Sequence, residues 1–233
     1  MNYLIVGGTT GIGKELVEKL QADGHQVFVA SREAGSRMNS AANVQIANLD
    51  ATDPDADWSF LPESLDGLVY SVGSINLKPF NRLKIADYRA DFAVNVEGAV
   101  NTIQAALPAL KKSGKASIVL FSSVAAQRGL NFHASISAAK GAVEGLTKAL
   151  SAEFAPTIRV NAIALSLTDT PLAEKLLNSD AKREAGDQRH ALKRVGTPAD
   201  GAALAAFLLG EQSSWITGQV IGLDGGMSAI QNI

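Results

Sequence analysis

The chain of 233 residues contains no cysteine. That excludes disulfide staples, thiolate nucleophiles and cysteine-held metals. Histidine is almost as scarce. His25, His133 and His190 stand far apart and form no cluster with metal-ligand spacing, so no metal site is expected. No run approaches the ~20 apolar residues of a membrane span, so no membrane partner is expected. Neither sign of charge dominates: 21 basic and 23 acidic residues are mixed along the chain, net −2. The basic face that usually accompanies nucleic-acid binding is therefore not expected. No Pro/Gly/Ser linker, composition break, repeat or low-complexity segment divides the sequence, and the length suits a single domain. The 46% hydrophobic content is ample for a large core. The first strand-like run begins at residue 3, so a signal peptide is not expected, and the default expectation is a soluble cytoplasmic protein.

What the sequence does have is glycine at its start: Gly7-Gly8-Thr9-Thr10-Gly11-Ile12-Gly13. The apolar run Tyr3-Leu4-Ile5-Val6 before it is too short for a helix and reads as a buried parallel strand. After it, Ile12, Leu16 and Leu20 recur at helical spacing. The glycines thus sit on a strand-to-helix turn. Free N–H groups at a helix start, with the helix dipole behind them, attract phosphate. Glycine lets the chain turn tightly and lets a pyrophosphate approach without meeting a Cβ. The spacing is Gly-x-x-x-Gly-x-Gly, not the common Gly-x-Gly-x-x-Gly fingerprint, and a plain connection that needs glycine for steric reasons is the alternative. Gln26-Val27-Phe28-Val29-Ala30, a second strand one helix later, completes the βαβ context that favours cofactor binding. Gly7, Thr9, Thr10, Gly11, Ile12 and Gly13 are the expected phosphate-side residues.

In a dinucleotide fold the end of the second strand meets the adenosine ribose, where a carboxylate would repel a 2′-phosphate. This chain has Ser31 and Arg32 there instead, and a hydroxyl beside a guanidinium suits phosphate. NADP(H) is therefore expected over NAD(H). Asp50, at the end of a third strand over residues 44–50, is placed to accept from an adenine amino group, or is a turn residue. Only a short helix fits between it and a fourth strand at 67–73. Residues 84 to 111 carry one long helical pattern that includes Asn95. A fifth strand at 117–121 ends in Ser122-Ser123, a long helix follows around 140–154, and 158–164 is a sixth strand. Residues 165–193 weaken into polar, short-period sequence, the usual look of a substrate-side lid. A helix through Leu209 and a seventh strand within 218–226 close the chain.

Nearly the whole sequence resembles the short-chain dehydrogenases/reductases. The resemblance rests on Gly7 to Gly13, Asn95-Val96-Glu97-Gly98, Ile118 to Ser123, Lys140, Ile158-Arg159-Val160-Asn161-Ala162 and Gly222-Leu223-Asp224-Gly225-Gly226, in the family's order and at roughly its spacing. It implies an α/β fold: a Rossmann-like, doubly wound, seven-stranded parallel sheet with helices on both faces. It also implies hydride exchange between a nicotinamide and an alcohol or carbonyl carbon. Asn95, Ser123 and Lys140 match members of the family's Asn-Ser-Tyr-Lys catalytic set. Gly73, Lys140, Thr168 and Thr170 match cofactor contacts. Association through the helices at 84–111 and 137–154 is implied too, giving a homo-oligomer, a tetramer or a dimer.

The family's Tyr-x-x-x-Lys is broken. Position 136 holds Ile136, and the tyrosines of the chain are Tyr3, Tyr70 and Tyr88. The phenol supplies the proton for a developing alkoxide, with Lys lowering its pKa, and Ile has no proton to give. General acid catalysis is worth about 10²–10⁴-fold, so ordinary carbonyl reduction should be impaired. Other departures cluster at the reacting end: Asn-Asn-Ala-Gly becomes Tyr70-Ser71-Val72-Gly73, and Pro-Gly after the sixth strand becomes Leu165-Ser166. Three readings stay open. The first is a working NADP(H)-dependent reductase of a small carbonyl or an activated C=C, in which His133, Ser135, Ser137 or a held water replaces the acid. The second is a cofactor-binding protein without chemistry, a sensor or an assembly subunit. The third is an engineered variant with Tyr exchanged for Ile.

Overall fold

The computed structural model describes residues 1–38 and 42–230. The short apolar runs become seven strands: β1 Asn2–Val6, β2 Gln26–Ser31, β3 Val44–Asn48, β4 Gly67–Tyr70, β5 Ala116–Ser123, β6 Ile158–Leu165 and β7 Val220–Leu223. All pair in parallel in one sheet, in the order β3-β2-β1-β4-β5-β6-β7. Parallel neighbours need crossovers. Among the described residues these carry α1 Gly11–Ala22, α2 Ala34–Arg37, α3 Ile85–Phe92, α4 Gly98–Ser113, α5 Val124–Gln127, α6 Ala134–Phe154, α7 Glu174–Leu177, α8 Asp180–Gln188 and α9 Pro198–Leu209.

Strand residues alternate between two cores because successive side chains point to opposite faces. Leu4, Leu68 and Ile118 join one core, under Ile103 and Leu110 of α4 and Val143 of α6. Their neighbours Ile5, Val69 and Val119 join the other, under Leu16 and Val17 of α1 and Leu208 of α9. Burial on both faces explains why the strands read as unbroken apolar runs rather than alternating ones. Each fully buried Leu, Ile or Val contributes about 1.5–3 kcal/mol. Winding reverses between β1 and β4, and an open parallel sheet forms its crevice at the strand ends at that point. The strand ends there are Val6 and Tyr70, which are register partners.

Two stretches differ from the sequence reading. The crossover from β3 to β4 has no helix. Asp50, Asp53 and Asp57 each accept the backbone N–H two residues on, which closes three successive turns. Trp58 and Phe60, stacked at 6.0 Å, pack against the core in the place of a helix. The pattern over 84–111 is also not one α-helix, because a π-helical turn, Ala93–Glu97, joins α3 to α4. The Asn95 side chain donates to the Asp91 carbonyl at 2.7 Å, one turn back. That side chain competes for the acceptor the α-ladder would use, a recognised cause of such turns.

The polar stretch 165–193 contains a 3₁₀ turn at Pro171–Ala173 followed by α7 and α8. It is tied back to the body by a bridge between Thr168 and Gly196. The next helix, α9, starts with a full capping box, Thr197 with Asp200, and Pro198 in its first turn.

Candidate functional site

The glycine turn follows β1 directly. Gly7 has a φ of +85°, which favours glycine, and a Cβ there would lie 2.9 Å from Ser71 Oγ. A Cβ on Gly13 would lie 2.3 Å from the Gly7 carbonyl oxygen, so the helix start can press onto the strand end only without one. Thr10 caps α1 without a side-chain bond to its first turn, and no acid lies in that turn. The helix therefore presents unbonded N–H groups and its positive dipole end to the cavity, as a phosphate requires. The segment after β6 crosses over this turn: a Cβ on Gly11 would lie 3.2 Å from Thr170 Cγ2.

At the end of β2, Ser31 Oγ and Thr9 Oγ1 are 3.1 Å apart. Arg32 is exposed beside them and makes no ion pair among the described residues, whereas Glu33 pairs with Arg37. Asp50 Oδ1 accepts from Thr52 N at 2.9 Å and from Thr52 Oγ1 at 2.8 Å. Those bonds, with the nearby Arg32 charge, hold its carboxyl below the usual range.

At the other end, Lys140 is buried and its ammonium donates to the Phe121 carbonyl at 2.8 Å. Burial lowers its pKa to about 8, and the Asp91 charge pulls weakly the other way. Ile136 lies one turn before it on α6 and is also buried. Gly73 makes room for both Lys140 and Asn95: a Cβ there would lie 3.4 Å from Lys140 Nζ and 3.3 Å from Asn95 Oδ1. Ser123 Oγ accepts from Ala125 N at 3.2 Å as the cap of α5.

One cavity of about 1330 Å³ joins the two ends. Of the expected cofactor-side residues, Gly7, Thr9, Thr10, Gly11, Ile12, Ser31, Arg32 and Asp50 line it at one end. Gly73, Ser123, Ile136 and Lys140 line it at the other, and Thr168 and Thr170 line it from the segment after β6, with Thr170 over the glycine turn. Gly13 and Asn95 stand behind the wall. Of the proposed replacement acids, His133 faces the cavity, its Nδ1 2.7 Å from the Asn131 carbonyl. Ser135 is buried without a partner, and Ser137 is spent on the Ala125 carbonyl.

Two sets of polar contacts are absent from the sequence reading. Asn95 Nδ2 donates to Ser74 Oγ at 2.9 Å, and Ser74 donates to the buried Asp91 carboxylate at 2.7 Å. Ser166 Oγ lies 2.8 Å from Nε2 of the buried His190, and both line the cavity. The signals for these were a charge inside an apolar helical pattern and the loss of Pro-Gly after the sixth strand.

Comparison with known proteins gives a consistent answer. The family model described as Enoyl-(Acyl carrier protein) reductase matches residues 6–228. A tropinone reductase homolog of Arabidopsis thaliana is 36% identical over 241 residues, covering 97% of this chain and 91% of the relative. The crystal structure of a short chain dehydrogenase family protein from Francisella tularensis subsp. tularensis SCHU S4 superposes with a TM-score of 0.89 at 28% identity, covering 98% of this chain and 99% of that one. The structure of ElxO with NADP bound superposes with a TM-score of 0.88 at 28% identity, with the same coverage.

Proposed function

The chain belongs to the short-chain dehydrogenase/reductase family of oxidoreductases, and from that premise we propose that it is an NADP(H)-dependent reductase of a small carbonyl or activated C=C compound. The observation that carries this reading is the single cavity running from the uncapped start of α1 to Lys140. The residues present fit a dinucleotide. The first N–H groups of α1 would bind its pyrophosphate. Ser31 and Arg32 would bind the 2′-phosphate, with Asp50 near the adenine. Lys140 would hold the nicotinamide ribose hydroxyls, and Thr168 and Thr170 the carboxamide. When bound, the cofactor supplies or takes up a hydride at the substrate carbon. Ser123 would orient the substrate oxygen, and Asn95 would stabilise the wall behind Lys140 through Ser74 and Asp91. The segment 165–193 would act as the substrate-side lid. A cytoplasmic homo-oligomer completes the reading, associating through α3, α4 and α6.

One observation favours a second reading. Ile136 is an alkyl group buried at the position where the family places its acid. A protein that binds NADP(H) without turning it over would carry such a residue at no loss. Fluorescence titration of the purified protein with NADPH, followed by NADPH oxidation against carbonyls and enones, separates the two. Binding with turnover supports the reductase, binding without turnover supports the silent form, and no binding rejects both.

A further inference from the structure

The reacting half of the cavity holds a serine–histidine pair with no role in the chemistry so far. Leu165, the last residue of β6, is the sheet partner of Ser123, so Ser166 comes one residue beyond the level of Ser123. Ser166 lines the cavity, and its Oγ lies 2.8 Å from His190 Nε2. His190 is 1% exposed, and its Nδ1 lies 2.8 Å from the Gly186 carbonyl. A carbonyl only accepts, so Nδ1 carries a proton. In the neutral ring Nε2 is then bare and accepts from the Ser166 hydroxyl. In the cationic ring Nε2 donates to Ser166 Oγ, and the serine proton turns to the weak acceptor Met227 Sδ or to a stronger acceptor in the cavity.

Charged groups stand around the ring. Asp224, after β7, faces it, and Asp224 is itself held by Gly226 N and Ser228. Burial pushes the Asp224 carboxyl up, but those hydrogen bonds and the His190 charge together hold it below its ordinary value. Asp187 accepts from Val195 N at 2.8 Å, and Lys193 donates its backbone N–H to the His190 carbonyl at 3.0 Å. Arg189 lines the cavity beside the pair, and the Met227 thioether accepts weakly from Ser166 Oγ at 3.1 Å.

We propose that Ser166 is the catalytic group that gives the substrate oxygen its proton, with His190 acting through it, in place of the phenol that Ile136 lacks. This rests on the oxidoreductase reading above. As the carbonyl carbon gains a hydride, the electron pair of its C=O bond moves onto oxygen. That oxygen takes the Ser166 proton, and Ser166 takes the Nε2 proton of the imidazolium. His190 is left neutral, with Nδ1–H still on Gly186, and regains a proton from solvent through the cavity. In the alcohol-oxidising direction each transfer reverses.

The pair is tested with and without cofactor. In the cofactor-free protein, ¹⁵N NMR of the imidazoles should show neutral His190 protonated on Nδ1 and bare on Nε2, with its titration midpoint moved by Ser166→Ala. With NADPH and 2,2,2-trifluoroacetophenone, Ser166→Ala should lower kcat by about 10²–10⁴-fold at unchanged NADPH affinity. Ser166→Thr, which keeps the hydroxyl, should retain most of the rate. His190→Gln should alter the shape of the pH–rate profile, which Ser166→Thr should leave unchanged. A neutral His190 with its proton on Nε2 overturns the proposal without any turnover measurement. Full turnover in both Ser166→Ala and His190→Gln overturns it too, while leaving the NADPH-dependent reading standing. Absence of NADPH binding rejects that reading and this proposal together.

Discussion

The Lys140 ammonium donates to the Phe121 carbonyl at 2.8 Å, at the end of the strand that carries Ser123. This bond fixes a buried cation in the wall of the cavity, where burial costs it water. Its pKa falls from 10.5 to about 8. The family's lysine normally acidifies a phenol. Here the residue one turn earlier is Ile136, so under the proposed function its remaining uses would be to hold a ribose and to place positive charge near the reacting oxygen.

That burial makes stability depend on pH with a definite sign. The folded chain releases the Lys140 proton near pH 8, and the unfolded chain releases it near 10.5. Between those values the unfolded chain binds more protons, so stability rises with pH across the window. The cost of burying the charge is present in full below pH 8 and amounts to no more than about 3 kcal/mol. Lys140→Met removes it, together with one hydrogen bond worth about 1 kcal/mol. The variant-minus-parent difference in Tm should therefore be more positive at pH 7 than at pH 10. Thermal melts of the cofactor-free proteins at both values check this, and a difference that does not change with pH would refute it.

Gly13 tolerates no side chain. An added Cβ would lie 2.3 Å from a backbone oxygen and 2.5 Å from Ser71 Oγ, and the backbone oxygen belongs to a turn fixed by sheet pairing. Gly13→Ala should cost about 3 kcal/mol or more as overpacking. It should weaken NADPH binding as well, because relief requires the start of α1 to move. A urea midpoint within error of the parent's would show that the turn yields more easily than its geometry suggests.

Cofactor choice should follow from Arg32 under the proposed function. With no acid partner among the described residues, its guanidinium is available to a 2′-phosphate beside Ser31. Arg32→Ala should raise the Kd for NADPH about tenfold or more, as loss of a charge-assisted contact worth about 1.5–3 kcal/mol, and leave NADH nearly unchanged. Isothermal titration with both dinucleotides measures this. Equal or tighter NADH binding by the parent would contradict it.

Assembly should depend on the outer face of α6. Ala138, Gly141 and Gly145 are exposed there, and a Cβ on either glycine would meet nothing within 4 Å. Two such faces can approach closely. Gly145→Glu should place like charges across that contact and lower the sedimentation coefficient. NADPH binding should persist, because this face points away from the cavity. A parent that sediments as a monomer at micromolar concentration would remove the basis of this expectation.

Much of this architecture was legible in the sequence because β1, β2, β4 and β6 are buried on both faces, so their composition alone marks them. The glycine turn was legible because Gly7 and Gly13 answer steric demands that no other residue meets. The crossover over 49–66 was not, because three aspartates closing local turns leave no period to read. The π turn was hidden by the opposite effect: Ile103 and Val96 keep a helical period while Asn95 breaks the ladder beneath it. Asp91 does not stand out in the sequence, since its partner Ser74 lies 17 residues away. His190 was passed over because its partner Ser166 lies 24 residues earlier, across a segment whose pattern is weak. Pairings set by tertiary contact leave no local trace.

Ile136 is where the two proton routes can be set against each other. It lines the cavity one turn before Lys140, so a tyrosine there would project its ring into open space. Ile136→Tyr should therefore fold and bring a phenol beside Lys140, whose charge would lower the phenol pKa. Activity with 2,2,2-trifluoroacetophenone should rise, with an upper bound of about 10²–10⁴-fold, the range of general acid catalysis. The size of the rise depends on Ser166. If Ser166 and His190 already supply the proton, the phenol duplicates them, and the gain in the parent is modest. In a Ser166→Ala background the phenol becomes the remaining donor, and the same substitution should restore most of the lost rate. The two substitutions should thus be strongly non-additive, as expected of groups serving one step. The measurement is kcat for the parent, both single variants and the double variant, each across pH 6 to 10. Equal fold gains from Ile136→Tyr in both backgrounds would mean that Ser166 and the introduced phenol do not serve the same proton.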